Sequence, residues 1–378
     1  MANTCDFINN QVNCKCVQGD NNRHLHNVSV IHVLKAINKI KKGQFDHATA
    51  LYSESILNGT QKLFTYLSFL YTIMLKHGFS CEAFNDVVIK PIVKDKRKPN
   101  NDSDNHRAIA PNGTLAKLLD YIIIDVFQDI LETSDYQFAY KSSFSTTLCS
   151  FMVVETIQYY RSKGNNVFVS LLDFSKAFDL VRYDKLFKLL LDRNLCPLVI
   201  RLLLNIYMNS MYSVCWNGIT SDKFSISNGV KQGGVLSSLL FTIYMEPLIS
   251  KTKSSKLGCY IGNKFAAMFI YADDVIVLTP TRGSMQKLLD IAGEYANDFG
   301  LKFNVNKCKL IIFSDRPLQM QPVLLNNIAL NHDDSEKHLG HLLSNKGDYI
   351  DFTHIITNLK AKANVLGREF YFLDWESK

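Results

Sequence analysis

The chain lacks a hydrophobic run long enough to cross a lipid bilayer, and it begins without a secretory signal. Its longest apolar stretch, near Leu63 to Leu75, is interrupted by Thr and Ser. A spanning helix needs about 20 apolar residues. The first residues, from Met1 to Asp6, carry neither a basic region nor an apolar core. We therefore expect an intracellular protein, nuclear or cytoplasmic, that is not secreted and has no membrane partner.

The spacing of the cysteines also gives no sign of a disulfide framework. Nine cysteines are scattered through 378 residues, which is typical of reduced thiols in an intracellular protein. One polar segment near the amino terminus gathers Cys5, Cys14, Cys16, His24 and His26. Their spacing matches no zinc-binding pattern, so the sequence leaves open whether this cluster binds a metal.

Length and charge set broad bounds. A chain of 378 residues exceeds a typical single core, so several packed subdomains are expected. The net charge of +7 permits a polyanionic partner. A basic segment that includes Lys94 and continues to Arg107 is suited to contact phosphates, although such a run is more often a solvated loop.

Hydrophobic periodicity predicts an alternation of helices and strands. Helices are expected between residues 28 and 77, and at 115–131, 146–160, 237–249, 285–299 and 352–370. Strands are expected at 87–93, 167–172, 224–226 and 310–313. Pro91 predicts an edge for the strand at 87–93, and Gly300 predicts the end of the helix at 285–299. Asp184 precedes Leu186, Leu189 and Leu190 and is predicted to be the N-cap of a further helix.

Two adjacent carboxylates, Asp273 and Asp274, follow Tyr271 and Ala272 between two apolar runs. Aspartate is disfavoured inside strands but suits tight turns, so the pattern predicts a hairpin with a charged tip. Carboxylates this close repel each other unless a cation lies between them, which favours a divalent metal such as Mg²⁺. Taken alone, the tetrapeptide is more often a solvated hairpin end.

A third acid, Asp173, follows the predicted buried strand at 167–172. From this strand to the strand at 310–313, with the two strands of the predicted hairpin between them, the elements follow a β-α-β-β-α-β succession. In a ferredoxin-like sheet with this succession, the end of the first strand lies next to the hairpin tip. Three carboxylates at that place could hold two divalent metals for nucleotidyl transfer.

Four segments resemble the successive palm motifs of a reverse transcriptase: 172–179 (LDFSKAFD), 229–237 (GVKQGGVLS), 271–274 (YADD) and 300–307 (GLKFNVNK). Segment 105–110 (NHRAIA) resembles a fingers motif, and 338–340 (HLG) resembles the primer-grip region. The chain is most similar to reverse transcriptases of non-LTR, LINE-type retrotransposons, over roughly residues 28–370. It departs from the family at His106, Ala108 and Ser238, where Tyr, Pro and Pro are usual.

The resemblance implies an α+β fold, a right-hand polymerase with a ferredoxin-like palm, helical and extended fingers and a short helical thumb. The implied divisions are a polar, disordered segment 1–27, helices and fingers at 28–165, the palm at 166–315, and the primer-grip region with a partial thumb at 316–378. Part of the fingers would lie near 185–235.

The resemblance also implies roles for single residues. Asp173, Asp273 and Asp274 would be catalytic metal ligands, and Lys307 would donate a proton to pyrophosphate. Phe178 lies where the family places the residue under the incoming sugar, which favours deoxynucleotides. The residues expected to contact the nucleotide are Arg107, Lys94, Phe174, Phe178, Gln232 and Gly233. A structural hydrogen-bonding role, rather than metal binding, is expected for Asp179.

The implied function is RNA-directed DNA polymerase activity with two Mg²⁺ ions, for which Mn²⁺ could substitute. Its partners would be an RNA template, a DNA primer and dNTPs; the sequence does not indicate the oligomeric state. We expect a fragment of a retrotransposon polyprotein without the endonuclease domain. Two alternatives stay open, a catalytically silent nucleic-acid-binding remnant and an RNA-directed RNA polymerase. The identities of Phe178 and Ala272 argue against the RNA polymerase.

Overall fold

The computed structural model describes residues 27–46, 49, 51–316, 318–346, 350–351 and 364. The amino-terminal Cys/His cluster and nearly all of the predicted helix at 352–370 lie outside the described residues. The chain divides into two compact units. The first unit comprises residues 1–135, 176–247 and 296–302, and the second comprises 136–175, 248–295 and 303–378.

The helices are the following, numbered in chain order: α1 Val30–Ile37, α2 Glu54–Leu57, α3 Gln61–His77, α4 Thr114–Val126, α5 Gln128–Leu131, α6 Thr146–Arg161, α7 Tyr183–Asp192, α8 Pro197–Met208, α9 Val235–Ser254 and α10 Arg282–Phe299. Short 3₁₀ turns occupy Glu82–Phe84, Ser103–Asn105 and Ala177–Leu180. Among the described residues, no helix is long and apolar enough to cross a membrane.

The longer strands are β3 Asp86–Val93, β4 His106–Ile109, β5 Val167–Leu172, β6 Met211–Trp216, β11 Met268–Tyr271, β12 Asp274–Thr279, β13 Lys309–Phe313, β17 Ser335–His338 and β18 His341–Ser344. The two-residue strands are β1 Phe45–Asp46, β2 Leu51–Tyr52, β7 Ile219–Thr220, β8 Phe224–Ser225, β9 Tyr260–Ile261, β10 Lys264–Phe265, β14 Leu324–Leu325, β15 Ile328–Ala329, β16 Asn331–His332 and β19 Ile350–Asp351. The α+β class is therefore confirmed.

The first unit contains a sheet in the order β4-β3-β6-β7. The prediction that Pro91 marks an edge strand is wrong, because β3 lies between β4 and β6. The parallel pairing with β6 ends at Ile89, opposite Val214, whereas Pro91 pairs with Ala108 of β4. Proline, which has no N–H to donate, thus lies beyond the part of the strand that needs hydrogen bonds on both sides.

The start of α7 also differs from the prediction. Arg182 is the N-cap, and Asp184 lies inside the first turn. The carboxylate of Asp184 is 2.6 Å from the Arg182 guanidinium. The helix dipole favours an acid in the first turn of a helix as well as at the N-cap. The sequence therefore correctly indicated a helix start near Asp184, but it placed the N-cap at the wrong residue.

The second unit is built on a sheet in the order β11-β12-β5-β13-β16. Its first four strands are antiparallel neighbours, in the order expected for the predicted β-α-β-β-α-β succession. All six residues of β5 are buried. Cys149, Val153 and Ile157 of α6 pack in one hydrophobic core with Val169 and Ile311 of the sheet. This burial on both faces explains why β5 reads as a continuous apolar run.

Candidate active site

The Asp-Asp segment forms the predicted hairpin in the second unit. Strands β11 and β12 pair in register up to Tyr271 and Asp274. Ala272 and Asp273 are left as the two-residue turn, and Asp274 is the first residue of β12. The acids are therefore supported by two strands whose other residues are anchored in the core.

The turn requires an unusual backbone angle at Ala272. Its φ is 57°, in the left-handed region that costs an L-residue about 1–2 kcal/mol. The Ala272 N–H donates a hydrogen bond to Oε1 of Gln137 at 3.1 Å. Sequence analysis did not identify Gln137. The signal that was available is one amide residue between the aromatic residues Tyr136 and Phe138.

The register of the sheet brings Asp173 beside the hairpin. Leu172 of β5 is paired with Val275 of β12, so Asp173 and Asp274 are the next residues on these two strands. The backbone of Asp173 is held on both sides. Its N–H donates to Sγ of Cys308 at 3.4 Å, and its carbonyl accepts from the N–H of Asn304 at 2.8 Å.

The three carboxylates influence one another electrostatically. Burial, together with the charges of Asp273 and Asp173, raises the pKa of Asp274 to about 6. Within the described residues, no three His, Cys, Asp or Glu side chains form a preformed metal centre. An all-oxygen set with repelling charges nevertheless has the donor chemistry that suits a hard divalent cation, which would relieve the repulsion.

Lys307 lies at the same site. Its Nζ is 3.6 Å from Oδ2 of Asp173, and 68% of its side chain is exposed. A cavity of about 510 Å³ in the second unit is lined by residues that include Asp173, Asp274 and Lys307. The predicted acid–base candidate and two of the predicted metal ligands therefore share one open space.

The hairpin of β17 and β18 forms part of the lining of that cavity, through His338, Leu339 and Gly340. Leu339 and Gly340 form the turn with φ values of 48° and 88°, and His338 pairs with His341. Burial lowers the pKa of His338 to about 4, so its imidazole is neutral near pH 7. The segment predicted as the primer grip thus borders the cavity that the catalytic candidates line.

The glycine turn with Gln232 belongs to the first unit. Gln232 Nε2 donates to Oδ1 of Asp179 at 3.1 Å, which is the kind of hydrogen bond predicted for Asp179. The carbonyl of Gln232 accepts from the N–H of Ala110 at 2.7 Å. Gly233 has φ +101°, and a Cβ there would meet the Ile109 side chain at 3.2 Å. Glycine is therefore needed at this position for backbone reasons.

The two predicted aromatic contacts differ in their surroundings. Phe178, in the first unit, is half-buried and stacks on Phe241 with ring centroids 4.3 Å apart. Phe174, in the second unit, is 4% exposed and stacks on Phe303, also at 4.3 Å. Because the Phe174 ring is used for packing, a contact of this residue with a nucleotide would come from its backbone.

The basic candidates lie on and beside β3 and β4 of the first unit. Arg107 is exposed on β4, opposite Ile92. Lys94 Nζ donates to the carbonyl of Asp104 at 2.8 Å, and the carboxylate of Asp104 pairs with Lys176 at 2.8 Å. Both candidate side chains are accessible to a phosphate, although Lys94 would exchange a backbone partner for it.

A buried polar group behind the glycine turn was missed by sequence analysis. Asp120 of α4 is 9% exposed. Its carboxylate accepts from the Leu236 N–H at 3.3 Å, at the start of α9, and from Asn112 Nδ2 at 2.7 Å. Burial raises the pKa of Asp120 to about 6. Burial also lowers the pKa of Lys231, in the glycine turn, to about 8, although the Asp120 charge opposes this shift.

Comparison with known proteins supports the resemblance to reverse transcriptases. Residues 96–343 match the family described as reverse transcriptase (RNA-dependent DNA polymerase). The type-2 retrotransposable element R2DM polyprotein of Drosophila melanogaster is 29% identical over 180 residues, which are 48% of this chain and 17% of that protein. The RNA-directed DNA polymerase from mobile element jockey of Drosophila funebris is 25% identical over 346 residues, or 88% of this chain and 36% of that protein.

The fold also has a counterpart among solved structures. The apo telomerase of Candida tropicalis truncated from its C-terminal domain matches with a TM-score of 0.50 at 13% identity, covering 77% of this chain and 60% of that one. This likeness supports a right-hand polymerase fold and no more. The chain spans well under half the length of the two retrotransposon relatives, 17% and 36%. With its motifs in the predicted order and the family match extending over most of its length, the chain belongs to the reverse transcriptase family, in its non-LTR retrotransposon group.

Proposed function

We propose that this chain is an RNA-directed DNA polymerase that adds deoxynucleotides to the 3′-hydroxyl of a DNA primer on an RNA template, as a segment of a longer retrotransposon polyprotein. The observation that carries the proposal is the position of Asp173 beside the Asp273–Asp274 hairpin on adjacent strands of one sheet. The three interacting carboxylates are a suitable binding site for the cations that nucleotidyl transfer requires.

Asp173, Asp273 and Asp274 would hold two Mg²⁺ ions, or Mn²⁺ in their place. When bound, these cations supply positive charge that favours ionisation of the attacking hydroxyl and stabilises the leaving pyrophosphate. The protein fixes the ligand positions through the strand register and the backbone contacts of Asp173 with Cys308 and Asn304. Lys307, near Asp173, would donate a proton to the leaving pyrophosphate.

The residues that we propose to contact the nucleotide are basic side chains on and beside β3 and β4 and residues of the glycine turn. Arg107 and Lys94 carry the charge that neutralises a triphosphate, and Gln232 and Gly233 present a turn whose backbone a nucleotide can approach closely. The Phe178 ring is supported from behind by Phe241, which suits it to exclude a ribose 2′-hydroxyl. In this assignment the sheet of the second unit is the palm, and β3 and β4 belong to the fingers.

Primer extension with the purified chain tests the proposal. A labelled DNA primer on an RNA template is incubated with Mg²⁺ and either deoxynucleotides or ribonucleotides. We expect extension with deoxynucleotides and little with ribonucleotides. Equal or preferred use of ribonucleotides would instead identify an RNA polymerase.

The alternative of a silent remnant is separated by a parallel binding measurement. Fluorescence anisotropy of the same template–primer reports whether the chain holds nucleic acid. Binding without any extension under conditions in which a known reverse transcriptase is active would contradict the polymerase proposal and favour the remnant.

A further inference from the structure

Gln137 lies along the edge of β11 that is not paired with β12, next to the Asp-Asp hairpin. The N–H of Phe138 donates to the carbonyl of Ile270 at 2.8 Å, and the N–H of Ile270 donates to the carbonyl of Tyr136 at 2.8 Å. Gln137 itself forms a parallel bridge with Ile270 and is 0% exposed. The backbone of Gln137 is therefore fixed to the strand that leads into the catalytic turn.

The side chain of Gln137 forms its hydrogen bonds through the amide oxygen. Oε1 accepts from the N–H of Ala139 and from the N–H of Ala272, each at 3.1 Å. Its Nε2 is buried and donates to no group among the described residues. A side chain of the same length that lacked the oxygen would leave two backbone donors without this acceptor, one of them in the catalytic turn.

We infer that Gln137 is a positioning residue that holds Ala272 in its left-handed conformation and thereby sets the direction of the Asp273 carboxylate. Ala272 has φ 57°, a conformation that alanine leaves readily unless its surroundings impose it. Relaxation of φ at Ala272 would rotate the following peptide and displace Asp273 from Asp274 and Asp173. The fixed amide oxygen thus organises the metal ligands in advance. This inference rests on the proposed function of the three acids.

The substitution Gln137→Met tests this role because it keeps the length and apolar burial of the side chain and removes the acceptor. Mn²⁺ affinity, measured by calorimetry on the full chain, should fall by about 10- to 100-fold, the usual effect of removing a group that orients metal ligands. The kcat for extension should fall by a similar factor, while KM for template–primer stays unchanged.

Rescue by a second substitution separates positioning from simple loss of stability. Glycine adopts positive φ without strain, so Ala272→Gly should restore much of the Mn²⁺ affinity and kcat lost in Gln137→Met. The matched control is Lys256→Gly, because Lys256 also has a positive φ, 55°, in the second unit but lies outside the catalytic turn. It should relieve strain without restoring either quantity.

Equal rescue by Lys256→Gly, or no rescue by Ala272→Gly, would overturn the inference. If the wild-type chain neither extends primers nor binds Mn²⁺, the proposed function fails. Urea unfolding then still tests whether the hydrogen bond from the Ala272 N–H to Gln137 holds the backbone of Ala272. The fall in the urea midpoint caused by Gln137→Met should then be smaller in the Ala272→Gly background than in the Lys256→Gly background. Equal falls in both backgrounds would exclude the coupling.

Discussion

The ammonium group of Lys307 lies 3.6 Å from the carboxylate of Asp173. Asp173 is the first, in chain order, of the three acids that the sheet brings together. The same cluster raises the pKa of Asp274 through burial and the charges of Asp273 and Asp173, and Lys307 only partly opposes this rise. The site therefore carries more negative charge than its own lysine neutralises, which is the condition that favours cation binding.

Lys307→Gln should slow extension by about 100-fold or more if the lysine donates a proton in the chemical step. Folding stability should change by less than about 1 kcal/mol, because the ion pair with Asp173 is exposed. Single-turnover kinetics and urea unfolding measure the two effects. Lys302→Gln removes another exposed lysine from the same segment and should leave the rate unchanged. Equal slowing by both substitutions would show that Lys307 acts only through net charge.

The titration of Asp274 provides a test that needs no substrate. In the metal-free protein its carboxyl should gain a proton as pH falls through about 6, well above the usual range for aspartate. Asp173→Asn should lower the midpoint, because it removes one of the negative charges that raise the pKa. Carboxyl ¹³C chemical shifts follow the titration directly. A wild-type midpoint near 4 would contradict the burial of the Asp274 carboxyl beside the other two acids.

Asp120 should make the folding stability depend on pH. Because burial raises its pKa from 3.8 to about 6, the folded state binds this proton more tightly than the unfolded state. The stabilisation is present below about pH 4 and is lost as pH rises through 6, a change of about 3 kcal/mol. Urea unfolding between pH 4.5 and 7.5 should therefore show wild type losing stability relative to Asp120→Asn as pH rises. A constant difference, or one of opposite sign, would refute this assignment.

Phe178→Val should weaken discrimination against ribonucleotides, because the smaller side chain leaves room for a 2′-hydroxyl. The ratio of kcat/KM for a deoxynucleotide to that for its ribonucleotide should fall by about tenfold or more, equivalent to about 1.4 kcal/mol. The control Phe187→Leu alters a fully buried ring of the same unit and should leave the ratio unchanged even if stability falls. An unchanged ratio in Phe178→Val would identify Phe178 as a packing residue.

Sequence reasoning succeeded where the signal is local. The apolar run of β5, the acids at the hairpin tip and Gly300 after α10, with its φ of +71°, were all predicted correctly, because each depends on neighbouring residues. Other features depend on partners distant in sequence. Gln137 acquires its role from Ala272, 135 residues away, and Asp120 from Leu236, 116 residues away. Neither partner is marked by periodicity or composition.

The most direct test of the central claim is RNA-templated extension of a DNA primer by the wild-type chain and by Asp273→Asn. The matched control is Asp290→Asn, which removes an exposed carboxylate of α10 in the same unit. Asparagine at position 290 can still accept the hydrogen bond that Gln286 donates there. We predict Mg²⁺-dependent extension by wild type and Asp290→Asn, and none by Asp273→Asn although it binds template–primer normally. Extension by Asp273→Asn at the wild-type rate would contradict the assignment of Asp273 as a catalytic metal ligand.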